Sequence, residues 1–150
     1  MTTVELMDNL AEFLKIVVKD YSTKQKEDNL PVEVYAGYPP IRTKASELSS
    51  FIYVLVTSFE DKAEPNLSTA KVEIGFSIYN SDTTQGFLSL YNLMEHVRQY
   101  ILKQRTIAEK HRIILPVKGE VVDEQPFPQW QGKITTEYTI GQPTEEELYW

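Results

Sequence analysis

Cysteine is missing from this sequence of 150 residues, and histidine and glycine are scarce, with two and six residues respectively. Without cysteine the chain can form no disulfide, no thiolate zinc site and no cysteine nucleophile, which fits a reducing compartment. Neither His96 nor His111 lies in an HExxH arrangement, so zinc hydrolysis has little support. The few glycines form no GxSxG elbow and neither of the phosphate-binding patterns GxxxxGK(S/T) and GxGxxG. We therefore predict a protein that is not an enzyme, with no catalytic residue, no metal and no cofactor.

Long apolar runs and an excess of basic charge are also missing. No apolar stretch approaches the length of about 18 residues that a membrane-spanning helix needs, and no basic segment followed by an apolar run marks a secretion signal. The formal net charge of −7 argues against a nucleic-acid-binding surface that covers the molecule, because phosphates attract basic side chains. We therefore expect no membrane partner and no specific DNA binding.

The length and composition indicate one globular domain. A hydrophobic share of 41% and a charged share of 25% are ordinary for such a domain, and 150 residues suffice to bury a core. Residues 144–150 differ from the rest, since they contain three glutamates and an aromatic end. We predict a single α+β domain over residues 1–143 and an acidic C-terminal tail over residues 144–150.

The stretch from Ala70 to Arg105 predicts a long strand, a polar turn and the longest helix. Apolar side chains alternate with smaller or polar ones over Lys71–Tyr79, which is typical of a strand with one buried face. Asp82 has the side chain of a helix N-cap, and Gln85 three residues later can complete a capping box. The helix predicted over Thr83–Gln104 carries an apolar stripe at helical spacing: Leu90, Met94, Val97 and Ile101.

Three further elements precede this stretch. Thr2 and Glu5 fit a capping box for a helix over Leu6–Tyr21, whose apolar residues recur at helical spacing. A short strand over Pro31–Tyr35 ends at the glycine and tandem proline that follow it. The strand Phe51–Phe59 is apolar on both faces, so its second face needs a cover. With the next strand it predicts a long antiparallel hairpin.

The remaining segments follow the long helix. We expect Pro116 to close the strand Arg112–Leu115, and Val117–Val122 can continue the sheet. A proline-punctuated aromatic loop, Asp123–Gly132, precedes a last alternating strand over Ile134–Ile140. The predicted fold class is therefore α+β, with a mostly antiparallel sheet of four to six strands and two main helices packed on one face.

A basic cluster also follows the long helix and consists of Lys103, Arg105, Lys110, His111 and Arg112. Cations near the C-terminus of a helix complement its dipole, which gives the cluster a structural role. A phosphate or DNA contact is the alternative, but no aromatic residues interleave with the cluster as stacking platforms.

The order of the elements and two sequence segments resemble the tail terminator, or tail completion, proteins of long-tailed bacteriophages and prophages. The first segment runs over Glu73–Asp82 (EIGFSIYNSD) into Leu88–Met94 (LSLYNLM). The second is the aromatic loop Asp123–Gly132 (DEQPFPQWQG) before the final strand. The resemblance covers most of the chain and implies a structural virion protein, whose α+β subunit closes into a six-fold ring. Such rings cap the tail tube, stop its growth and bind the head-side connector, while DNA passes through without being read.

The resemblance also implies partners and a location. The partners are further copies of the chain in a hexameric ring, the tail tube protein and the head-side connector protein. The location is the neck region of the virion tail, after assembly in the host cytoplasm. The hairpin loop and the aromatic loop supply the candidate interface residues: Glu60, Asp61, Lys62, Pro65, Phe127 and Trp130. Two alternatives stay open, namely another head–tail connector such as a head-closure or neck protein, and a monomeric α+β module that binds a small ligand between sheet and helix.

Overall fold

The computed structural model describes residues 2–19, 21, 32–40, 49–63 and 67–143 of the chain. These residues form two helices and six strands, which confirms the predicted α+β class. In chain order the elements are α1 (Thr3–Val18), β1 (Val32–Ala36), β2 (Ser50–Glu60), β3 (Ser68–Tyr79), α2 (Phe87–Lys103), β4 (Thr106–Ile107), β5 (His111–Val121) and β6 (Gln129–Ile140).

The six strands form one sheet in the order β1-β2-β3-β6-β5-β4. Only β1 and β2 pair in parallel, and every other pair of neighbours is antiparallel. The strands β2 and β3 form the predicted hairpin. Its register shifts between Val56 and Ser58, so Thr57 is an extra residue that forms a β-bulge.

Local capping decides where the two helices begin. The Thr2 side chain accepts a hydrogen bond from the Glu5 backbone N–H at 3.1 Å, as predicted for the N-cap of α1. The Asp82 carboxylate accepts hydrogen bonds from the backbone N–H groups of Thr84 and Gln85, at 2.8 and 3.1 Å. These bonds stabilise a separate turn, so α2 begins at Phe87 and not at the predicted Thr83.

The hydrophobic core lies between the two helices and one face of the sheet. The predicted stripe of α2 is buried, with Val97 and Ile101 fully buried, and α1 buries its own stripe against β1 and β2. The sheet contributes mainly aliphatic side chains: Val34, Ile52, Val54, Val72, Ile74, Phe76, Ile78, Ile134 and Ile140. The two helices therefore pack on one face, as predicted.

Two predicted boundaries in the C-terminal part of the sheet are wrong, and one short strand was missed. The strand β5 continues through Pro116 to Val121. Pro116 is tolerated because it lies in a second register shift, between Ile114 and Lys118, where no ladder hydrogen bond needs its missing N–H. The last strand begins at Gln129, so residues 129–132 belong to β6 and not to the aromatic loop. The two-residue strand β4 was not predicted, since it is too short to show a period.

Candidate subunit interface

One face of the sheet carries no helix among the described residues, and we call it the open face. The cross-strand pairs Ile52–Phe76 and Val54–Ile74 lie on the helix side. Because side chains alternate along a strand, the intervening residues point to the open face. These residues are Phe51, Tyr53 and Leu55 of β2, Glu73 and Ser77 of β3, Gln131 and Lys133 of β6, and Glu120 of β5. The apolar residues of β2 on this face are half-buried, as expected for a strand that is apolar on both faces.

Tyr53 occupies the centre of the open face because its cross-strand neighbour is Gly75. A Cβ atom at position 75 would lie 1.9 Å from Cζ of Tyr53, so only glycine leaves room for the ring. The Tyr53 hydroxyl donates a hydrogen bond to Oε2 of Glu73 at 3.1 Å. Burial, together with the charge and hydrogen bond of Glu73, raises the pKa of Tyr53 to about 12. Tyr53 is therefore a hydrogen-bond donor at neutral pH and not a general base.

Lys133 links two carboxylates on the same face. Its Nζ lies 3.2 Å from Oε1 of Glu120 and 3.6 Å from Oε1 of Glu73. The hydrogen bond and the charge of Glu120, with a smaller contribution from Glu73, raise the pKa of Lys133. Lys133 thus forms a cross-strand ion pair with each of the two carboxylates. Since each charged group in this network faces an opposite charge or a donor, the network suits recognition more than proton transfer.

A groove of about 560 Å³ runs along the open face beside this network. Its walls combine the aromatic rings of Phe51 and Tyr53 with the polar side chains of Gln131 and Lys133. The open face is therefore one side of the sheet on which a small ligand or another chain can lie.

The β2–β3 tip, which we define as residues 59–63 and 67, contains three of the candidate interface residues. Glu60 and Asp61 are exposed, and the backbone carbonyl of Lys62 accepts a hydrogen bond from the Gln142 side chain at 2.9 Å. Pro65 lies outside the described residues, as does the tail over residues 144–150. Sequence reasoning missed two apolar residues at this tip, Phe59 and Leu67, which are 65% and 63% exposed.

The two candidate residues of the predicted aromatic loop, Phe127 and Trp130, lie in different environments. Phe127 is 50% exposed and contacts the Trp130 ring edge-on, with 6.0 Å between the ring centroids. Trp130 lies in β6, is partly buried against the core, and donates its indole N–H to the Asn80 carbonyl at 2.9 Å. The structure therefore leaves Phe127 as the accessible aromatic residue of the pair.

The β2–β3 tip and the aromatic loop lie at opposite ends of the sheet. Thr69, beside the tip, pairs with Thr139 near the end of β6, whereas Tyr79 pairs with Gln129 next to the aromatic loop. Strands of this length span about 36 Å. The structure thus places the candidate residues on two separate surfaces and does not bring them together in one site.

The predicted basic cluster is divided by the fold. His111 is fully buried in β5, where Nδ1 lies 3.1 Å from the Thr139 carbonyl and Nε2 lies 3.4 Å from the Asn9 amide nitrogen. Because a carbonyl can only accept, Nδ1 carries the proton and Nε2 accepts from Asn9. Lys110 pairs with Glu5 at 3.8 Å, an exposed contact between α1 and the β4–β5 turn.

Within the described part of the chain, no group of three or more His, Asp or Glu residues is arranged to hold a metal.

No helix within the described ranges is long and apolar enough to cross a membrane.

Comparison with known proteins identifies no family for this chain. No family model matches the chain, and no curated protein matches it. A solved structure whose name states no function is similar over 93% of this chain and 93% of its own, with 11% sequence identity and a TM-score of 0.44. A likeness at this level supports no argument about function.

Proposed function

We propose that this chain is a non-catalytic structural subunit of a long-tailed phage or prophage, which forms a ring that terminates the tail tube and joins the tail to the head. The observation that carries this proposal is the exposure of large apolar side chains at both ends of the sheet, Phe59 and Leu67 at one end and Phe127 at the other. In this proposal these exposed apolar side chains are the contact points between subunits, because a subunit contact would remove them from water. The resemblance of the sequence to tail terminator proteins supplies the identity of the assembly.

A ring of identical subunits needs two different surfaces on each subunit. In a head-to-tail contact one surface binds the other surface of the next copy, and the chain of contacts closes when the rotation allows it. The β2–β3 tip and the aromatic loop are far enough apart for one subunit to use both at once. A hexamer on the tail tube, with the tail tube protein on one side and the head-side connector on the other, follows from the resemblance.

The charge of the chain supports a channel through which DNA passes without being held. The net charge is −7, and basic walls would bind phosphates and slow the DNA. On the open face Lys133 lies between two carboxylates and is neutralised by them. The location that follows is the neck region of the virion, with the host cytoplasm as the place of assembly.

The direct test is negative-stain electron microscopy of the protein mixed with tail tubes of the same phage or prophage. We expect rings at one end of the tubes and a halt to tube growth. Free subunits stay monomeric in this proposal, because contacts with the tube end add to weak lateral contacts. Tubes that stay uncapped well above micromolar protein would contradict the proposal, and rings on filled heads instead of tubes would identify a head-closure or neck protein.

The groove on the open face favours a second candidate, a monomeric α+β module that binds a small ligand. The Tyr53 hydroxyl, the Gln131 amide and the Lys133 ammonium line the groove and could orient a polar compound beside the Phe51 ring. A protein that remains monomeric with tail tubes present, and whose melting temperature rises with a small polar compound, would establish this candidate in place of the ring.

A further inference from the structure

The strand β5 has no neighbouring strand on its outer side over residues 117–121, and we call this side the outer edge. The short strand β4 pairs only with the first two residues of β5. Among the described residues, no strand pairs with the rest of β5 on that side. Lys118, Gly119 and Glu120 are exposed there. A free sheet edge of this kind can accept a strand from another chain.

The backbone groups of alternate residues point to the outer edge. The Val122 N–H donates to the Gln131 carbonyl at 3.1 Å, so residue 122 directs its backbone groups toward β6. Because this direction alternates along an antiparallel strand, residues 117, 119 and 121 direct theirs outward. These three N–H groups and three carbonyls are the ones that a further strand would bind.

The sequence VKGEV of residues 117–121 is complementary to itself when two copies run antiparallel. With Gly119 opposite Gly119 of the second copy, Lys118 of each copy lies opposite Glu120 of the other. The valines at the two ends then lie opposite each other, and the outward backbone groups of both copies meet. The neighbouring two-fold registers place Lys118 or Glu120 opposite the same residue of the second copy, which like charges disfavour.

The glycine at the centre is not required by the fold of one copy. A Cβ atom at position 119 would meet nothing nearer than Met94 Cε, at 3.8 Å. Glycine inside a strand weakens it, and often marks a place where another backbone approaches closely. A second copy of the same edge supplies such a backbone.

The helix side of the outer edge is apolar. Val117 and Val121 are half-buried and line a groove of about 350 Å³ between α2 and β5, together with Tyr91 and Met94 of α2. In the antiparallel pair, Val121 of the second copy lies beside Val117 and extends this apolar wall across the two-fold axis. The pair therefore removes apolar as well as polar groups from water.

The charged groups around the outer edge are compatible with this pair. Lys118 forms no ion pair within the part of the chain that the structure describes. Glu120 lies 3.2 Å from Nζ of Lys133, and a carboxylate can accept from a second ammonium at the same time. Glu95 and Arg98 also line the groove, but they lie on the helix side and bind each other at 2.7 Å.

Two features make the outer edge short and selective. Pro116 and the register shift around it interrupt the ladder before residue 117. Lys118 would lose water without meeting an acid if a strand of unmatched sequence bound there. A contact of five residues from each copy is small, and small contacts are weak. Free subunits therefore remain monomeric at micromolar concentration, as the proposed ring requires.

We propose that the outer edge pairs with the outer edge of a second copy of this chain, in an antiparallel two-fold contact centred on Gly119. This inference goes beyond the proposed ring, because a two-fold contact closes after two copies and cannot serve as a head-to-tail contact. Concentrated free subunits thereby form closed pairs instead of leaving an edge to which other strands can add.

Exchange of the two charges tests the contact and its register. Lys118→Glu, Glu120→Lys and the double variant are compared with the original protein by sedimentation equilibrium, from about 10 μM to about 1 mM, a range that covers weak contacts. We expect the original protein to approach the dimer mass at the upper end. Each single variant should associate roughly tenfold more weakly, because two like-charge pairs replace two opposite-charge pairs.

An equimolar mixture of the two single variants should restore association, since both charge pairs are opposite again in the mixed dimer. The double variant should restore it within one chain. The matched control exchanges Glu12 and Lys15, an exposed ion pair on α1 at 3.0 Å, and should associate like the original protein. Equal melting temperatures of all variants show that each remains folded.

An original protein that stays monomeric up to about 1 mM would overturn the contact. Association that the single exchanges leave unchanged, or that the mixture fails to restore, would overturn it as well, because another surface would then be responsible. Capped tail tubes with either result would leave the proposed function standing. Restored association in the mixture together with uncapped tubes would support the pair and reject the tail terminator.

Discussion

At the scale of single residues, the buried side chains at the centre of α2 are the ones on which the stability of the core depends most directly. Val97 is fully buried on the stripe of α2, between the helix and the sheet. We expect Val97→Asp to lower the free energy of unfolding by several kcal/mol, because a carboxylate there has neither water nor a partner. Chemical denaturation measures the change. Asn92→Asp, on the exposed side of the same helix, is the control and should change stability by less than about 0.5 kcal/mol; a similar small change for Val97→Asp would mean that the stripe faces water.

Tyr138 offers the opposite prediction, a substitution that stabilises. Its side chain is fully buried on the helix side of β6, and its hydroxyl has no hydrogen-bond partner among the described residues. Burial accordingly raises the pKa of Tyr138. We expect Tyr138→Phe to raise the free energy of unfolding by about 1 kcal/mol, since it removes a desolvated polar group. Thermal melting of Tyr138→Phe beside Tyr91→Phe, an exposed control, checks this, and a lower melting temperature for Tyr138→Phe would reveal a partner for the hydroxyl.

Residue patterns predicted the core better than the surface. The helical stripe gave Leu90, Met94, Val97 and Ile101 correctly, because burial repeats with the helix period. His111 and Trp130 were misplaced, since a polar or amphipathic side chain becomes buried only where the tertiary fold supplies its partner. These partners are the Thr139 carbonyl and the Asn80 carbonyl, and both are distant in sequence.

At the scale of elements, the open face makes the protein sensitive to alkaline pH. The pKa of Tyr53 is raised to about 12 in the folded protein, whereas an unfolded tyrosine ionises near pH 10. The contribution of the protonated phenol to stability is therefore complete below pH 10 and is lost as the pH rises toward 12. We expect Tyr53→Phe to lose less stability than the original protein between these values, as measured by thermal melting at a series of pH values.

A spectroscopic titration separates the causes that raise the pKa of Tyr53. Burial is the largest cause and Glu73 the second. In Glu73→Gln the pKa of Tyr53 should fall but stay above 10, which ultraviolet difference spectra of the phenolate can follow. The matched control is Glu137→Gln, a change on the same face of β6 that leaves Glu73 in place. A pKa of 10 in Glu73→Gln would make the charge of Glu73 the dominant cause instead.

Helices and strands were predicted well where a periodic pattern continued over many residues, and poorly where a local motif interrupted it. The alternation in β3 and β6 extended over enough residues to identify both strands, but not to place the start of β6. At the start of α2 the Asp82 carboxylate stabilises a turn with the same hydrogen bonds that would cap a helix. Sequence alone does not distinguish these outcomes. Pro116 likewise suggested a strand end, but the register shift around it lets β5 continue.

At the scale of the whole molecule, Phe127 is the residue that tests the proposed ring. It is half-exposed at the end of the sheet opposite the β2–β3 tip, so a charge there leaves the core intact. We expect Phe127→Glu to abolish the capping of tail tubes in negative-stain images while the melting temperature changes little. Ile16→Glu, an exposed apolar position on α1, is the control and should cap normally.

Trp130→Glu is a poorer variant for the same purpose. The indole packs against the core and binds the Asn80 carbonyl, so a carboxylate there would destabilise the fold as well as any interface. Normal capping by Phe127→Glu would contradict the role of the aromatic loop.

The candidate surfaces were only partly readable from the sequence. The acidic residues Glu60 and Asp61 stood out as a charged loop, and Phe127 stood out between prolines. The exposure of Phe59 could not be predicted from the sequence, since an aromatic residue in an apolar strand is expected to be buried.

The bulge at Thr57 determines on which side of the sheet the β2–β3 tip presents Phe59. Before the bulge, Val56 lies opposite Val72, and after it Phe59 lies opposite Ala70, so both pairs fall on the same side of the sheet. If the ladder ran on without the bulge, Thr57 would lie opposite Lys71 and the alternation would carry Phe59 across to the other side. Deletion of Thr57 would remove the bulge and still leave Phe59 opposite Ala70. One further residue inserted between the bulge and Phe59 would instead turn the aromatic ring to the opposite side, whereas substitutions along the tip would leave its direction unchanged.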